Sequence, residues 1–220
     1  MKYETDSRKI TDGQIFVAIK GHTVDGHDYV EDAIKNGAAK VIAEKEMNIS
    51  VPIEVVPSTE DYLKEHLVEE YSGELKDLTI IGVTGTNGKT TTCFLTYQLL
   101  NLLGNKTAYL GTIGFYYDDN IITLENTTPD ILTIYKLLLE AKKSNIKTVV
   151  MEISSHSLYY ERIKGLHLKI GAFTNLTEDH LDFHKTMEAY LNEKLKIFNY
   201  LDKYGLFIVN SDDEASFKLK

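Results

Sequence analysis

The chain has 220 residues, with 24 Lys and Arg against 33 Asp and Glu, a formal charge of −9, 43% hydrophobic and 26% charged residues. That length suits one or two domains and that balance a folded globular protein rather than a disordered one. An acidic chain without a Lys/Arg cluster is also a poor general nucleic-acid binder. The single cysteine, Cys93, forms no internal disulfide and fits a reducing compartment. No apolar run approaches the roughly 18 residues of a membrane span, and residues 1–9 lack the apolar core of a signal peptide. The sequence therefore points to a cytoplasmic α/β protein.

In chain order, 15–19 reads as a strand, 28–36 as a helix closed by Gly37, 41–43 and 53–56 as strands, and 59–71 as a polar helix. A small first domain ends near Ser72-Gly73 and is taken as residues 1–74. The apolar run 78–83 predicts a buried strand that feeds a glycine turn and a helix, 89–103, stopped by Gly104. Residues 107–110 predict a strand, and 115–124 a hairpin turning at Asp118-Asp119-Asn120. Thr128-Pro129 predicts a helix start, with Thr128 as N-cap and Pro129 at the first position. Ile131, Ile134, Tyr135 and Leu138 then share one apolar face. Residues 148–153 and 168–174 read as strands, 187–201 as a helix and 206–209 as a strand. This alternation predicts an α/β second domain, residues 75–220, with a mainly parallel sheet and right-handed crossovers.

The strongest local signal is Gly82-Val83-Thr84-Gly85-Thr86-Asn87-Gly88-Lys89-Thr90, between a predicted strand and a predicted helix. Backbone N–H groups of such a turn cradle phosphates. Lys89 would neutralise the β/γ phosphates and Thr90 would ligate Mg²⁺. The strict phosphate-loop pattern wants glycine where Val83 stands, and Gly85 supplies the flexibility instead. Because strand, turn and helix agree, a chance glycine turn is the weaker reading. Glu152, at the tip of a predicted strand, is either an acidic metal helper or an ordinary strand-end carboxylate.

Residues 175–184 are dense in possible ligands, with His180 and His184 four apart but no HExxH. Zinc, magnesium with a phosphorylated substrate, and a polar loop with capping side chains all remain open on composition, with magnesium the better fit beside a phosphate loop. Lys194 falls in the stripe Met187, Tyr190, Leu191, Phe198 that should face inward, while Glu193 and Lys196 point elsewhere. A lysine there is costly unless paired, neutralised or modified. The residues alone favour a packed stem with a head that snorkels outward.

Taken together, these segments resemble the Mur ligase family, above all the members that add the third peptide residue to UDP-N-acetylmuramoyl-L-alanyl-D-glutamate. The resemblance runs through Asp6-Ser7-Arg8-Lys9, Gly21-His22-Thr23-Val24-Asp25-Gly26, Thr84 to Thr92, Glu125-Asn126-Thr127-Thr128-Pro129, Glu152-Ile153-Ser154-Ser155-His156-Ser157-Leu158, Thr174 to His184, and Met187-Glu188-Ala189-Tyr190 to Phe198. It covers nearly all of the chain, and several motifs in the right order are more specific than the phosphate loop alone.

The resemblance implies a UDP-substrate-binding domain followed by an ATP-binding domain. It implies that Thr5, Ser7, His22, Thr23 and Val24 contact the uridine end, and that Thr84, Gly85, Thr86, Asn87, Gly88, Lys89 and Thr90 hold ATP. Asn126, Thr127, Thr128, Ser154, Tyr160 and Arg162 would hold the muramoyl-dipeptide, although the family usually has Gln where Tyr160 stands. Mg²⁺ would be placed by Thr90, Glu152, His180 and Lys194, the last matching a lysine that the family carries as a carbamate. That modification explains a lysine in an apolar stripe and reverses the snorkelling preference. Lys89, Lys194 and His180 become the expected catalytic residues.

The implied chemistry is amide formation through an acyl phosphate in peptidoglycan precursor synthesis. Its partners are UDP-N-acetylmuramoyl-dipeptide and an amino acid, meso-diaminopimelate or L-lysine; a monomer with neither nucleic acid nor membrane is expected. The family has residues before the Asp-Ser-Arg motif and a third, amino-acid-binding domain, so this chain is expected to be truncated at both ends and inactive alone. The rival readings are a ligase of the same scaffold acting on another carboxylate such as folate, and a non-catalytic nucleotide-binding or UDP-precursor-binding fragment.

Overall fold

The computed structural model describes residues 1–21 and 24–219. The chain forms two compact units, Met1–Glu70 and Tyr71–Lys220.

The first unit carries a four-stranded parallel sheet of β1 (Tyr3–Glu4), β2 (Ile15–Val17), β3 (Lys40–Ala43) and β4 (Ile53–Val55), in that order. Strand β1 has two residues, too few for a period-2 pattern to show in sequence. The helix expected over 28–36 begins instead as a 3₁₀ turn, Gly26–Tyr29, and becomes α1 only over Val30–Lys35. The Asp25 carboxylate accepts from His27 N–H at 3.0 Å and tightens that entry. Gly37 follows at φ +103°, where an added Cβ would lie 2.2 Å from Asp12 Oδ1. Phe16, Ala18, Val30, Ala33, Val41 and Ala43 form the core. Helix α2 (Thr59–Leu75) runs on without a break through Ser72-Gly73.

The second unit is built on seven strands: β5 (Thr79–Thr84), β6 (Thr107–Gly111), β7 (Gly114–Tyr117), β8 (Asn120–Ile122), β9 (Thr148–Glu152), β10 (Leu168–Phe173) and β11 (Leu201–Val209). Their order is β11-β10-β5-β9-β6-β7-β8, parallel except for the antiparallel steps β6–β7 and β7–β8. The chain leaves β5 through α3 (Lys89–Leu102) to β6 and then returns to β9, so both lie on one side of β5; from β9 it crosses to β10 on the other side. Strand order thus reverses at β5, and the crevice at the carboxyl ends there is the usual ligand position of open α/β sheets.

Helix α4 (Ile131–Lys143) buries Ile131, Ile134, Tyr135 and Leu138 as its periodicity predicts. Its N-cap is Asp130, which accepts from Thr133 N at 3.0 Å, rather than Thr128. Thr128 is turned inward, donating its hydroxyl to Glu152 O at 2.9 Å, so it cannot serve as cap.

Short helices α5 (Ser155–Tyr159) and α6 (Leu181–His184) precede α7 (Met187–Leu195). The helix expected over 187–201 is α-helical only to Leu195 and tightens to 3₁₀ over Lys196–Tyr200. The tighter winding shifts the phase of the apolar stripe. Phe198 is accordingly exposed and lies 4.1 Å, ring to ring, from Phe207. Glu193, expected to point outward, is buried and ion-paired with Lys196 at 2.8 Å. Strand β11 starts at Leu201, earlier than expected, because its register on β10 jumps from Leu168↔Leu201 to Ile170↔Leu206 and leaves Asp202–Gly205 out of the ladder.

Candidate functional site

The parallel register sets Glu152 beside Val83 and Phe173 beside Thr84, so the ends of β9 and β10 flank the turn between β5 and α3. Gly88, at φ +82°, caps α3 from the left-handed region that glycine adopts without steric cost. Gly85 has φ +139°, and an added Cβ would lie 1.9 Å from Thr174 Oγ1, so a second loop sits directly on it.

That second loop follows β10. Thr174 donates to Asn87 O at 2.7 Å. The Asn175 side chain accepts from Asn87 N at 2.9 Å and donates to Asn87 O at 3.1 Å. Thr86 N donates to Asn175 O at 2.9 Å, and Asn87 Nδ2 to Thr177 Oγ1 at 3.0 Å. The glycine turn is therefore held in shape from outside. Of this clamp the sequence showed only polar residues in a loop.

Lys89 donates to Gly85 O at 2.9 Å and Thr86 O at 2.8 Å, at the mouth of the turn. Burial lowers its pKa, opposed by Glu152 and Asp179. Thr90 donates to Glu152 Oε2 at 2.9 Å. Glu152 is fully buried and also accepts from Tyr109 OH at 2.5 Å and from Thr112 N at 3.0 Å and Oγ1 at 3.2 Å. Burial first, then the bond to Glu152, raises the Tyr109 pKa. An added Cβ at Gly111 would lie 2.2 Å from Glu152 Oε1, so only glycine there leaves room for the carboxylate. Sequence reasoning missed Tyr109, which read as an interior strand residue, and Thr112, which lies between the predicted strand and the predicted hairpin.

Lys194 is 1% exposed, and its ammonium donates to Gly85 O at 2.8 Å while lying 4.3 Å above the Tyr190 ring. The head does not snorkel outward; it reaches the phosphate loop. Burial, with Lys89 as the second cause, pushes its pKa down from 10.5 to about 7.

Behind Glu152, Thr128 Oγ1 donates to Glu152 O and accepts from Ser154 N at 3.1 Å. Arg162 donates to Thr128 O at 2.8 Å, with its guanidinium 5.5 Å from the Tyr160 ring centre. Thr127 and Thr112 hydroxyls are 3.0 Å apart. The structure thus gathers Thr127, Thr128, Ser154, Tyr160 and Arg162 around the end of β9. Ser154 Oγ itself caps α5 through Ser157 N at 3.1 Å. Asn126 is exposed.

His180 has a half-exposed side chain 3.5 Å from Asp179, edge-on to His156 at 4.9 Å. In the first unit, Thr5 donates its N–H to Glu4 Oε1 at 2.9 Å, Ser7 is buried with its carbonyl accepting from Asn36 Nδ2 at 2.9 Å, and Val24 is exposed. His22 and Thr23 lie outside the described residues.

Among the described residues no group of three or more His, Cys, Asp or Glu converges as a metal cluster. Thr90 Oγ1 and Glu152 Oε2 do form an all-oxygen pair, and Mg²⁺ binds through one or two such ligands, keeping waters and taking substrate phosphates for the rest. The residues present fit that ion. No helix among the described residues is long and apolar enough to cross a membrane.

Residues 83–220 match the model of the Mur ligase middle domain, and residues 3–73 that of the Mur ligase family catalytic domain. A curated relative from Bacillus velezensis, UDP-N-acetylmuramoyl-L-alanyl-D-glutamate–2,6-diaminopimelate ligase, is 40% identical over 97% of this chain and 45% of its own length. The chain thus spans about half the length of the curated relatives it matches. A solved structure with the same ligase name has a TM-score of 0.77 and 32% identity, covering 99% of this chain and 44% of that one. The MurF ligase of Thermotoga maritima, solved with ADP, has a TM-score of 0.70 and 26% identity, covering 100% and 47%.

Proposed function

The chain belongs to the Mur ligase family, and from its site we propose that residues 1–74 bind the UDP end of a peptidoglycan precursor and residues 75–220 bind ATP, for an amide ligation that extends UDP-N-acetylmuramoyl-L-alanyl-D-glutamate. The observation that carries this reading is the glycine turn whose Thr90 meets the buried Glu152 carboxylate at 2.9 Å, with Lys89 at its mouth. The relatives' name supports 2,6-diaminopimelate as the incoming amine. A cytoplasmic, monomeric protein goes with this reading.

In the reaction we assign, a substrate carboxylate oxygen attacks the γ-phosphorus of ATP, ADP leaves, and an acyl phosphate forms. The amine then attacks the acyl carbon, phosphate leaves, and the amine loses a proton to give the amide. Negative charges must approach in the first step. Lys89, released from the Gly85 and Thr86 carbonyls, would neutralise the β/γ oxygens. Mg²⁺, when bound, supplies further charge neutralisation on the phosphates. Thr90 and Glu152 would hold that ion, with His180 at its margin. Arg162, set by Thr128 and the Tyr160 ring, would orient the dipeptide.

Lys194 is suited to take up CO₂. Its low pKa leaves a large neutral fraction near pH 7, and a neutral amine adds CO₂ with loss of one proton to give a carbamate. The product replaces a buried cation with an anion beside Lys89.

Calorimetry with UDP-N-acetylmuramoyl-L-alanyl-D-glutamate, against UDP-N-acetylglucosamine as control, tests the substrate assignment. Selective binding of the dipeptide form supports it. Equal binding of both, or ATP·Mg²⁺ binding with neither, contradicts it.

A further inference from the structure

Beside the phosphate loop lies a buried histidine to which the reaction above gives no task. His184 is 7% exposed, and its Nε2 is 2.9 Å from Ser155 Oγ. Its ring lies 4.9 Å from that of Tyr190, tilted by 31°, and 5.7 Å from that of His156. It ends α6, a single turn whose flanking residues, His180 at φ 53° and Lys185 at φ 68°, both have positive φ. Non-glycine residues persist in such conformations only where their surroundings over-determine them.

His184 links that turn to two other parts of the site. Through Ser155 it is tied to the segment that follows β9 and carries Glu152. Through Tyr190 it touches the platform beneath Lys194, and the Tyr190 hydroxyl is 3.4 Å from Thr86 Oγ1 in the phosphate loop. His180 itself is placed edge-on to His156 at 4.9 Å and to Tyr190 at 6.2 Å. Buried, bonded and packed among rings, His184 is arranged to hold neighbours in place.

We propose that His184 is a positioning residue: anchored on Ser155 and packed against Tyr190, it fixes the left-handed His180 turn and the Tyr190 platform in the arrangement that the nucleotide site uses. Only the last part, the consequence for nucleotide, rests on the function proposed above. The hydrogen bond and the ring contact are separable. Ser155→Ala removes the bond and keeps the ring. His184→Gln keeps an amide donor within reach of Ser155 Oγ and removes the ring.

The test follows the imidazole resonances of the 220-residue chain by NMR, with ATP·Mg²⁺ affinity measured in parallel. In Ser155→Ala and His184→Ala the His180 resonance should lose the ring-current displacement from Tyr190 and His156 and move to that of a free histidine. His27 and His66, in the first unit, should not move. His184→Gln should restore much of the His180 displacement. ATP·Mg²⁺ affinity should fall at least tenfold in Ser155→Ala and His184→Ala, and His184→Gln, which regains the bond but not the ring, should recover part of that loss. Should His184→Ala fail to fold, Ser155→Ala decides alone. A purely structural role would lower the unfolding midpoint while leaving the His180 resonance and the affinity of the folded variant unchanged, and that result overturns the proposal. A His180 shift without loss of affinity overturns its link to the nucleotide site. A wild-type chain that binds no nucleotide contradicts the function proposed above, and the NMR comparison then decides the positioning role by itself.

Discussion

Lys194→Met in the folded 220-residue chain removes a buried charge and keeps the volume of the stem. The lysine is 1% exposed and lies near a second cation, Lys89, with no carboxylate bonded to it among the described residues. A pKa lowered from 10.5 to about 7 corresponds to about 5 kcal/mol between the two protonation states. The unfolded chain binds the proton more tightly, so stability rises with pH between about 7 and 10.5 and is lowest below pH 7, where the ammonium is buried at full cost. Between pH 6 and pH 9 this group alone should stabilise the wild type by about 3 kcal/mol, an increment that Lys194→Met lacks. Below pH 7 the variant should therefore be the more stable protein. Urea unfolding at both pH values, in bicarbonate-free buffer so that the amine stays unmodified, reads the difference directly. Parallel pH dependences for the two proteins would refute the reasoning, since they would show an ammonium that folding leaves hydrated.

Glu152→Gln should leave the sheet intact but weaken ATP binding at least tenfold in the presence of Mg²⁺ and little in its absence, as calorimetry with and without the ion can show. Gly85→Ala should destabilise the chain by about 1–3 kcal/mol through left-handed strain, and by more through the clash with Thr174, measured by urea unfolding. Asp130→Ala, which removes the observed cap of α4, should cost about 1 kcal/mol, whereas a conservative Pro129→Ala should cost less.

The sequence displayed what depends on local patterning. The apolar run before Gly82, the glycines at 85 and 88, and the Tyr190, Leu191 and Lys194 part of the inward stripe appear at their expected places in the fold. What stayed hidden depends on pairing between distant segments. Tyr109 and Thr112, at the end of β6, meet Glu152 only because β6 pairs with β9, and nothing along the chain signals that pairing. The loop at 174–177 grips Asn87 through hydrogen bonds that any polar loop could make. Thr128 read as a helix cap because caps and buried hydroxyls use the same residue type; only its bond to Glu152 O separates the two. The inward phase of Phe198 failed because a change from α to 3₁₀ winding leaves no mark in composition; Glu193, still within α7, is buried with its carboxylate paired to Lys196, a pairing that apolar periodicity does not register.

In the proposed reading, this chain's glycine turn holds ATP with Lys89 at its mouth. Calorimetric titration of the 220-residue chain and its Lys89→Met variant with ATP·Mg²⁺ tests it most directly. The wild type should show saturable one-site binding and the variant at least a tenfold loss, with both chains folded. Equal affinity in the two proteins, or no binding by a folded wild type, would contradict it.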